Sequence, residues 1–328
     1  MKEAAQKSLA KRHHYVPEFY LKGFSVPRKK GHQTTVIDRN GHSFQTAIKN
    51  VAAETGFNTI EAPQPDAVEN AFAAIESEIA PALERICSSR SLQNTEDREV
   101  LMYFIAWLAI RNPRFRETFR KFQSDVSTQI MSLALASRER WEGQVKQMVA
   151  AGASKGAGPD YEVVKKFHES GKYRIEVPIE RHLEIAAPLV DAVFPHLVRR
   201  GWTLIRPSAE AGEFLSSDHP VCLTWSDPSS RAGLYGPGFG LDGTAVVFPL
   251  RHDLAVLGTF ESRDAFLDGI SEINVARVNR TVSEFCQRQV YARNYGFVYA
   301  IAEAGTVAVR KGSRLVGDPT FRRGSMIE

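Results

Sequence analysis

A chain of 328 residues with 43% apolar and 24% charged side chains can bury one large core or two modest ones, so wholesale disorder is excluded. Its net charge of +4 is far below the clustered excess of a chain that coats nucleic acid, although a local basic face stays open. The three cysteines, Cys87, Cys222 and Cys286, lie far apart with no CxxC spacing, which argues against a zinc ribbon or redox pair and for reduced thiols in the cytoplasm. The opening MKEAAQKSLAKRHH lacks the apolar stretch of a signal peptide, and no run of about 18 apolar residues occurs, so no membrane partner is expected.

Residues 1–10 are polar and are expected to be mobile. Arg12 to Phe24 then packs His13, His14, Glu18, Pro17 and the aromatics Tyr15, Phe19, Tyr20 and Phe24 into one short block. Pro17 suits the first turn of a short helix that would place Tyr20 and Phe24 on one face. Thr34 to Asp38 reads as a strand, Asn40-Gly41 as a hairpin turn, and His42 to Thr46 as the returning strand. Pro63 and Pro65 mark a turn, with Asp66 and Glu69 in the pattern of a capping box. Val68, Phe72, Ile75, Ile79, Leu83 and Ile86 follow at helical spacing, with a kink expected at Pro81.

Thr95 is the expected cap of a second helix, whose Val100 to Ile110 run is apolar nearly all round and therefore central. Arg111-Asn112-Pro113 breaks it. A third helix carries Phe115, Phe119, Phe122, Val126 and Ile130 and continues less regularly through Trp141 and Val145. The AGASKGAGP stretch at 151–159 is the best loop candidate, and a further helix runs from about Glu180 to Arg200. Strands are predicted at Trp202–Ile205, Phe214–Ser216, Val221–Trp225, Ala245–Phe248, Leu254–Leu257, Phe297–Ala300 and Thr306–Val309, with a helix bearing Ile273, Val278, Val282 and Phe285 between them. From Lys311 the chain is basic and polar, and fraying is expected. Segregated helices and strands predict an α+β fold: an N-terminal hairpin and a helical bundle portion packed with a mainly antiparallel C-terminal sheet. The helical part spans about 60–200, the sheet-rich part about 1–50 and 201–310, and the basic tail 311–328.

Adjacent residues diverge by about 100° on a helix and face opposite ways on a strand, so His13 and His14 do not readily share one metal. One of them could act as a general base near neutral pH while the other packs. The apolar Phe214-Leu215 stretch delivers Ser217, Asp218 and His219 at a strand end closed by Pro220. Asp218 there could bind a divalent metal or orient a base, or could simply bond its own turn. Arg111, ending the most apolar helix, needs a carboxylate or phosphate partner if buried; Glu76, Glu78 and Asp218 are the candidates in the chain. Asn279 and Arg280 sit on the late helix, where polar residues usually form a solvated face. No phosphate-binding loop, nucleophile elbow, HExxH or EF-hand pattern is present, and Gly236-Pro237-Gly238-Phe239-Gly240 lacks a strand-to-helix setting.

The block His13-His14-Tyr15-Val16-Pro17-Glu18-Phe19-Tyr20-Leu21 resembles the signature of an uncharacterised bacterial family, a domain of unknown function whose members open with a His-His-Tyr-Val-Pro-Gln-Phe-Tyr-Leu-like block. Similar pieces recur at Arg111-Asn112-Pro113, Ser217-Asp218-His219-Pro220, Phe248-Pro249-Leu250 and Asn279, so the resemblance spans about 12 to 300 as one domain. Glu18 stands where the family usually has Gln. The resemblance implies a bacterial cytoplasmic protein, of a kind found in mobile or defence loci, and no particular activity.

Two functions follow as expectations. In the first, the chain is a nuclease-like effector that cleaves phosphodiesters in nucleic acid: His14 (or His13) is the acid or base, Asp218 holds Mg2+ or Mn2+ or positions His14, Arg111 neutralises phosphate, and Tyr15, Tyr20, Asn279 and His219 are binding residues. In the second it is a non-catalytic sensor or protein-interaction module, and the same block is architectural.

Overall fold

The computed structural model describes residues 12–60, 64, 67–153, 158–227, 236–303 and 306–323. In chain order the first elements are β1 (Arg12–His14), α1 (Glu18–Leu21), β2 (Val26–Arg28), β3 (Gly31–Asp38), β4 (Ser43–Ala47) and β5 (Ala53–Thr55). Helices follow: α2 (Ala67–Ser89), α3 (Thr95–Ile110), α4 (Pro113–Ala134), α5 (Arg138–Ala150), α6 (Tyr161–Glu169) and α7 (Ile179–Val198). Next come β6 (Gly201–Pro207), β7 (Ser216–Ser217), β8 (Cys222–Trp225), β9 (Thr244–Arg251), β10 (Leu254–Thr259) and β11 (Ala265–Ile270). The chain closes with α8 (Glu272–Phe285), β12 (Gln289–Ala292), β13 (Val298–Glu303), β14 (Thr306–Lys311) and α9 (Pro319–Arg323). The fold is α+β, with mostly antiparallel sheets. The chain divides into two compact units, one of residues 1–114 with 184–328 and one of residues 115–183.

The larger unit holds two five-stranded sheets, ordered β11-β6-β10-β9-β8 and β2-β3-β12-β7 with β4 added on β3. Among the described strands, β11 alone runs parallel to its neighbour, β6. Strand β9 is buried from Thr244 to Leu250, which is why it reads as a continuous apolar run rather than an alternating one. Helix α8 turns Val275, Ala276 and Val282 inward, and these join two core clusters with Phe214, Leu215, Tyr299 and Phe297. Helix α3 supplies Leu101, Met102, Phe104, Ile105, Ala106 and Leu108, as its all-round apolar sequence requires. All three cysteines are free and buried in this unit, and burial pushes the Cys87 thiol up to about 12.

The smaller unit has its own modest core of Leu135, Trp141, Val145 and Tyr161. Trp141 Nε1 donates to the Pro159 carbonyl at 3.1 Å and the Tyr161 hydroxyl to that of Leu135, also at 3.1 Å. The apolar side chains Phe122 (61% exposed), Val163 (65%) and Phe167 (56%) stay at its surface, and Ile130 and Leu133 are exposed as well.

Several sequence expectations change. The β3–β4 hairpin forms, but through the four residues 39–42, with Gly41 at φ +89°. Asn94, not Thr95, caps α3, its side chain accepting the Asp97 N–H at 3.0 Å. Pro81 lies within one helix that runs on to Ser89. The third helix stops at Ala134 and a new one starts after Ser137, whose hydroxyl caps the Arg140 N–H. Phe214 and Leu215 precede rather than form β7, which is only Ser216–Ser217. The tail does not fray at Lys311: Leu315 and Phe321 enter the core. The Pro63–Asp66 turn, apart from Gln64, and residues 1–10, 154–157 and 324–328 lie outside the described residues.

Asn279 is the largest departure. It is fully buried rather than solvated, and its amide accepts from the Leu215 N–H (3.0 Å) while donating to the carbonyls of Glu213 (2.8 Å) and Val298 (2.7 Å). It thereby ties α8 to two chain segments that share no backbone ladder. Asn279→Ala strands three buried backbone groups, so a loss of about 3 kcal/mol is expected in urea unfolding; a loss below about 1 kcal/mol would show that the bonds are replaced.

Candidate functional site

The site is built on β1, which pairs antiparallel with β5 so that His13 lies opposite Glu54 and His14 opposite Ala53. Strand alternation separates the two histidines, as their adjacency requires. His13 is wholly buried, and its Nδ1 accepts the Asn58 N–H at 2.8 Å, which places the ring proton on Nε2. His14 turns toward the surface, with its Nε2 3.8 Å from Glu18 Oε1. Burial lowers the His14 pKa, while the charges of Glu18 and Glu69 pull it back up. Tyr15 turns inward again: its N–H donates to the Ala52 carbonyl (2.9 Å), its ring lies 5.5 Å from that of Phe57, and its hydroxyl is hydrogen-bonded to Tyr291.

Arg111 ends α3 with φ −90° and ψ 63° and is buried. One nitrogen, Nη1, donates to Glu76 Oε1 at 3.1 Å; the other, Nη2, donates to the His14 carbonyl at 2.6 Å and lies 3.9 Å from Glu69. The guanidinium sits 4.1 Å from the ring centre of Phe72 and 4.4 Å from that of Trp107. Burial lowers the Arg111 pKa and raises that of Glu76, and their attraction opposes both shifts. Of the partners open in the sequence, Glu76 is therefore the one taken.

Asp218 is engaged elsewhere. Its carboxylate accepts the N–H groups of Gln287 (2.8 Å), Arg288 (2.6 Å) and Gln289 (3.1 Å), where the chain leaves α8. Burial raises its pKa, and these three N–H groups hold it down. No hydrogen bond or ion pair joins Asp218 to His14 or Arg111 among the described residues, and none of those residues form a group of three or more His, Cys, Asp or Glu placed to hold a metal. His219 packs on Phe285 with ring centres 5.8 Å apart, and burial first, then the charge of Arg114, lowers its pKa to about 4. Tyr20 stacks on Phe248 (5.3 Å, 11°) and its hydroxyl donates to the Pro249 carbonyl at 2.7 Å.

Thus His14 and Arg111 meet, Tyr15 lies within electrostatic reach of Asp218, and Tyr20 and Asn279 bond the adjacent residues Ser216 and Leu215, in the segment that leads to His219. The sequence does not single out Asn58, and singles out Glu69 only as a capping residue; Glu69 lies within electrostatic reach of His14, and Asn58, whose N–H bonds His13, donates its Nδ2 to Glu69 Oε2 at 2.8 Å. The available signal is Glu69-Phe72-Glu76 at spacings of three and four, a mixed acidic and aromatic stripe on one helix face.

A family model described as "Protein of unknown function (DUF4238)" matches residues 12–295. The chain belongs to this family. No curated protein and no solved structure matches it. The DUF4238 match begins at Arg12, the first residue of β1, and so contains the whole histidine-tyrosine block and the residues around Arg111 and Asp218.

His219 gives the fold a pH signature. Its pKa falls from 6.5 to about 4 in the fold, so between these values the unfolded chain holds the extra proton. Its contribution is complete above pH 6.5 and is lost as pH drops through that window. The melting temperature of the natural protein should therefore fall more steeply than that of His219→Gln between pH 6.5 and about 4; parallel curves would place the lost stability in other groups.

Proposed function

We propose that this chain is a non-catalytic interaction module acting in the bacterial cytoplasm. In this reading the histidine-tyrosine block anchors the N-terminus, and a protein partner docks on the apolar side chains of the smaller unit. One observation carries the reading: the groups a phosphodiester-cleaving centre would need are already engaged. Arg111 is neutralised by Glu76, the His14 carbonyl takes its second arm, and Asp218 is saturated by backbone N–H groups. The exposed Phe122, Val163 and Phe167 add weight, because large apolar side chains left at a surface are available for protein contact.

A second reading, a nuclease-like effector of a mobile or defence locus using Mg2+ or Mn2+, is favoured by His14 alone. Its Nε2 lies 3.8 Å from Glu18 Oε1, and burial lowers its pKa, the direction that suits a base near neutral pH. Nucleic acid would then be the partner.

Incubating the protein and His14→Ala with RNA and DNA in Mg2+ or Mn2+ separates the two. The interaction reading expects no cleavage by either protein, a lower melting temperature for His14→Ala, and retained partner capture. Metal-dependent cleavage that His14→Ala abolishes without changing its melting temperature would overturn it. The anchoring role is tested separately. Arg111→Met leaves the partly buried Glu76 without its cation and should cost about 3 kcal/mol, and adding Glu76→Gln should recover part of that loss. Additive losses in the double variant would show that the pair is not coupled.

A further inference from the structure

The smaller unit holds a cavity of about 620 Å3 beside α5. That helix gives it Trp141, Val145 and Val149, at spacings of four and therefore on one face. The chain entering α6 gives it Pro159 and Tyr161. Gly158 lets this returning chain come close: its φ is +73°, and a Cβ there would lie 2.7 Å from Val145 Cγ1. The polar tips of both rings are already bonded, Trp141 to the Pro159 carbonyl and Tyr161 to the Leu135 carbonyl, so what the rings offer the cavity is apolar surface.

Four charged residues also line the cavity, and they divide into two kinds. Arg138 lies 5.1 Å from the ring centre of Tyr161, donates to Glu162 at 2.9 Å and stands 4.0 Å from Asp160. Asp160 in turn accepts the N–H groups of Glu162 (2.9 Å) and Val163 (3.3 Å). The fold uses both. Glu142 and Lys146 are left over. Among the described residues neither side chain joins an ion pair or a hydrogen bond, although Glu followed by Lys four positions on is the arrangement that ordinarily pairs on a helix. The cavity thus has one uncommitted acid and one uncommitted base, neighbours on the same helix face, beside an apolar wall.

We propose that this cavity binds a free α-amino acid with a large apolar or aromatic side chain. The ammonium bonds Glu142, the carboxylate bonds Lys146, and the side chain lies on the wall of Trp141, Val145, Val149 and Pro159. The pair of charges is what selects this class. An amine or an acid with the same side chain satisfies one of the two residues and is repelled by the other, and a residue inside a peptide chain carries neither charge. The cavity falls within the range of about 300–1,000 Å3 that takes small molecules, so it has room for the largest natural side chains. The site goes beyond the interaction reading and does not depend on it.

The test follows the Trp141 indole N–H by NMR in the full chain at neutral pH, during titration with L-phenylalanine, phenethylamine, 3-phenylpropionate and N-acetylphenylalaninamide. L-Phenylalanine should shift the signal and bind about three- to fivefold more tightly than either singly charged probe, with the uncharged amide weakest. Glu142→Gln should weaken L-phenylalanine and phenethylamine about three- to fivefold and spare 3-phenylpropionate. Lys146→Gln should weaken L-phenylalanine and 3-phenylpropionate and spare phenethylamine. Both residues are exposed, so both variants should melt like the natural protein. A static Trp141 signal, or L-phenylalanine binding no tighter than a singly charged probe, would overturn the site. Equal weakening of all the probes in either variant would overturn the assignment of the two charges. Binding of the amide as tight as that of L-phenylalanine would give the cavity to a side chain of a protein partner, which overturns the amino-acid ligand and leaves the interaction reading standing.

Discussion

The burial of the Arg111 charge where the most apolar helix ends governs the N-terminal half of the larger unit. A guanidinium cannot be deprotonated to escape an apolar setting, so the chain must bring partners to it. It brings Glu76 and Glu69 from α2, the ring faces of Phe72 and Trp107, and the carbonyl of His14 from β1. Two helices and a strand distant in sequence are thus pinned to one cation. The geometry of β1 then follows: with the His14 carbonyl held, strand alternation sends His13 and Tyr15 into the core and turns the His14 ring the other way, toward Glu18.

A second clamp works by the inverse arrangement. Asp218 is a buried anion satisfied by backbone N–H groups, and Asn279 is a buried amide bonded to the backbone at Glu213, Leu215 and Val298. Together they fix the short β7 between α8 and the start of β12. Both side chains serve the path of the chain, which gives polar residues in a core a purpose other than chemistry.

What the sequence made legible depended on how local the cause was. The apolar run of α3, the helical spacing of α2 and α8, and the pairing of β3 with β4 rest on neighbours a few residues apart. The separation of His13 from His14 needed only the geometry of adjacent residues. The use of Asp218 was not legible, because its partners are N–H groups about seventy positions away, and every residue but proline carries such a group. Strand β11 was missed since its Ala265–Gly269 stretch is exposed and has no inward face to impose a period. The break at Ala134 was missed because the α5 pattern continues the helical period, and Ser137 becomes a cap only once the chain has turned there. In the candidate site, His14 and Arg111 were readable as unusual, whereas the two carboxylates and Asn58 around them depended on the docking of α2.

The distribution of sulfur has a practical consequence. Cys87, Cys222 and Cys286 all belong to the larger unit, are enclosed, and have their thiols held in the unreactive protonated form by burial. An alkylating reagent therefore meets a nucleophile only when that unit opens. The protein carries a built-in clock for the breathing of its sheets, and it is silent on the helical unit, where an introduced cysteine would provide a second and independent one.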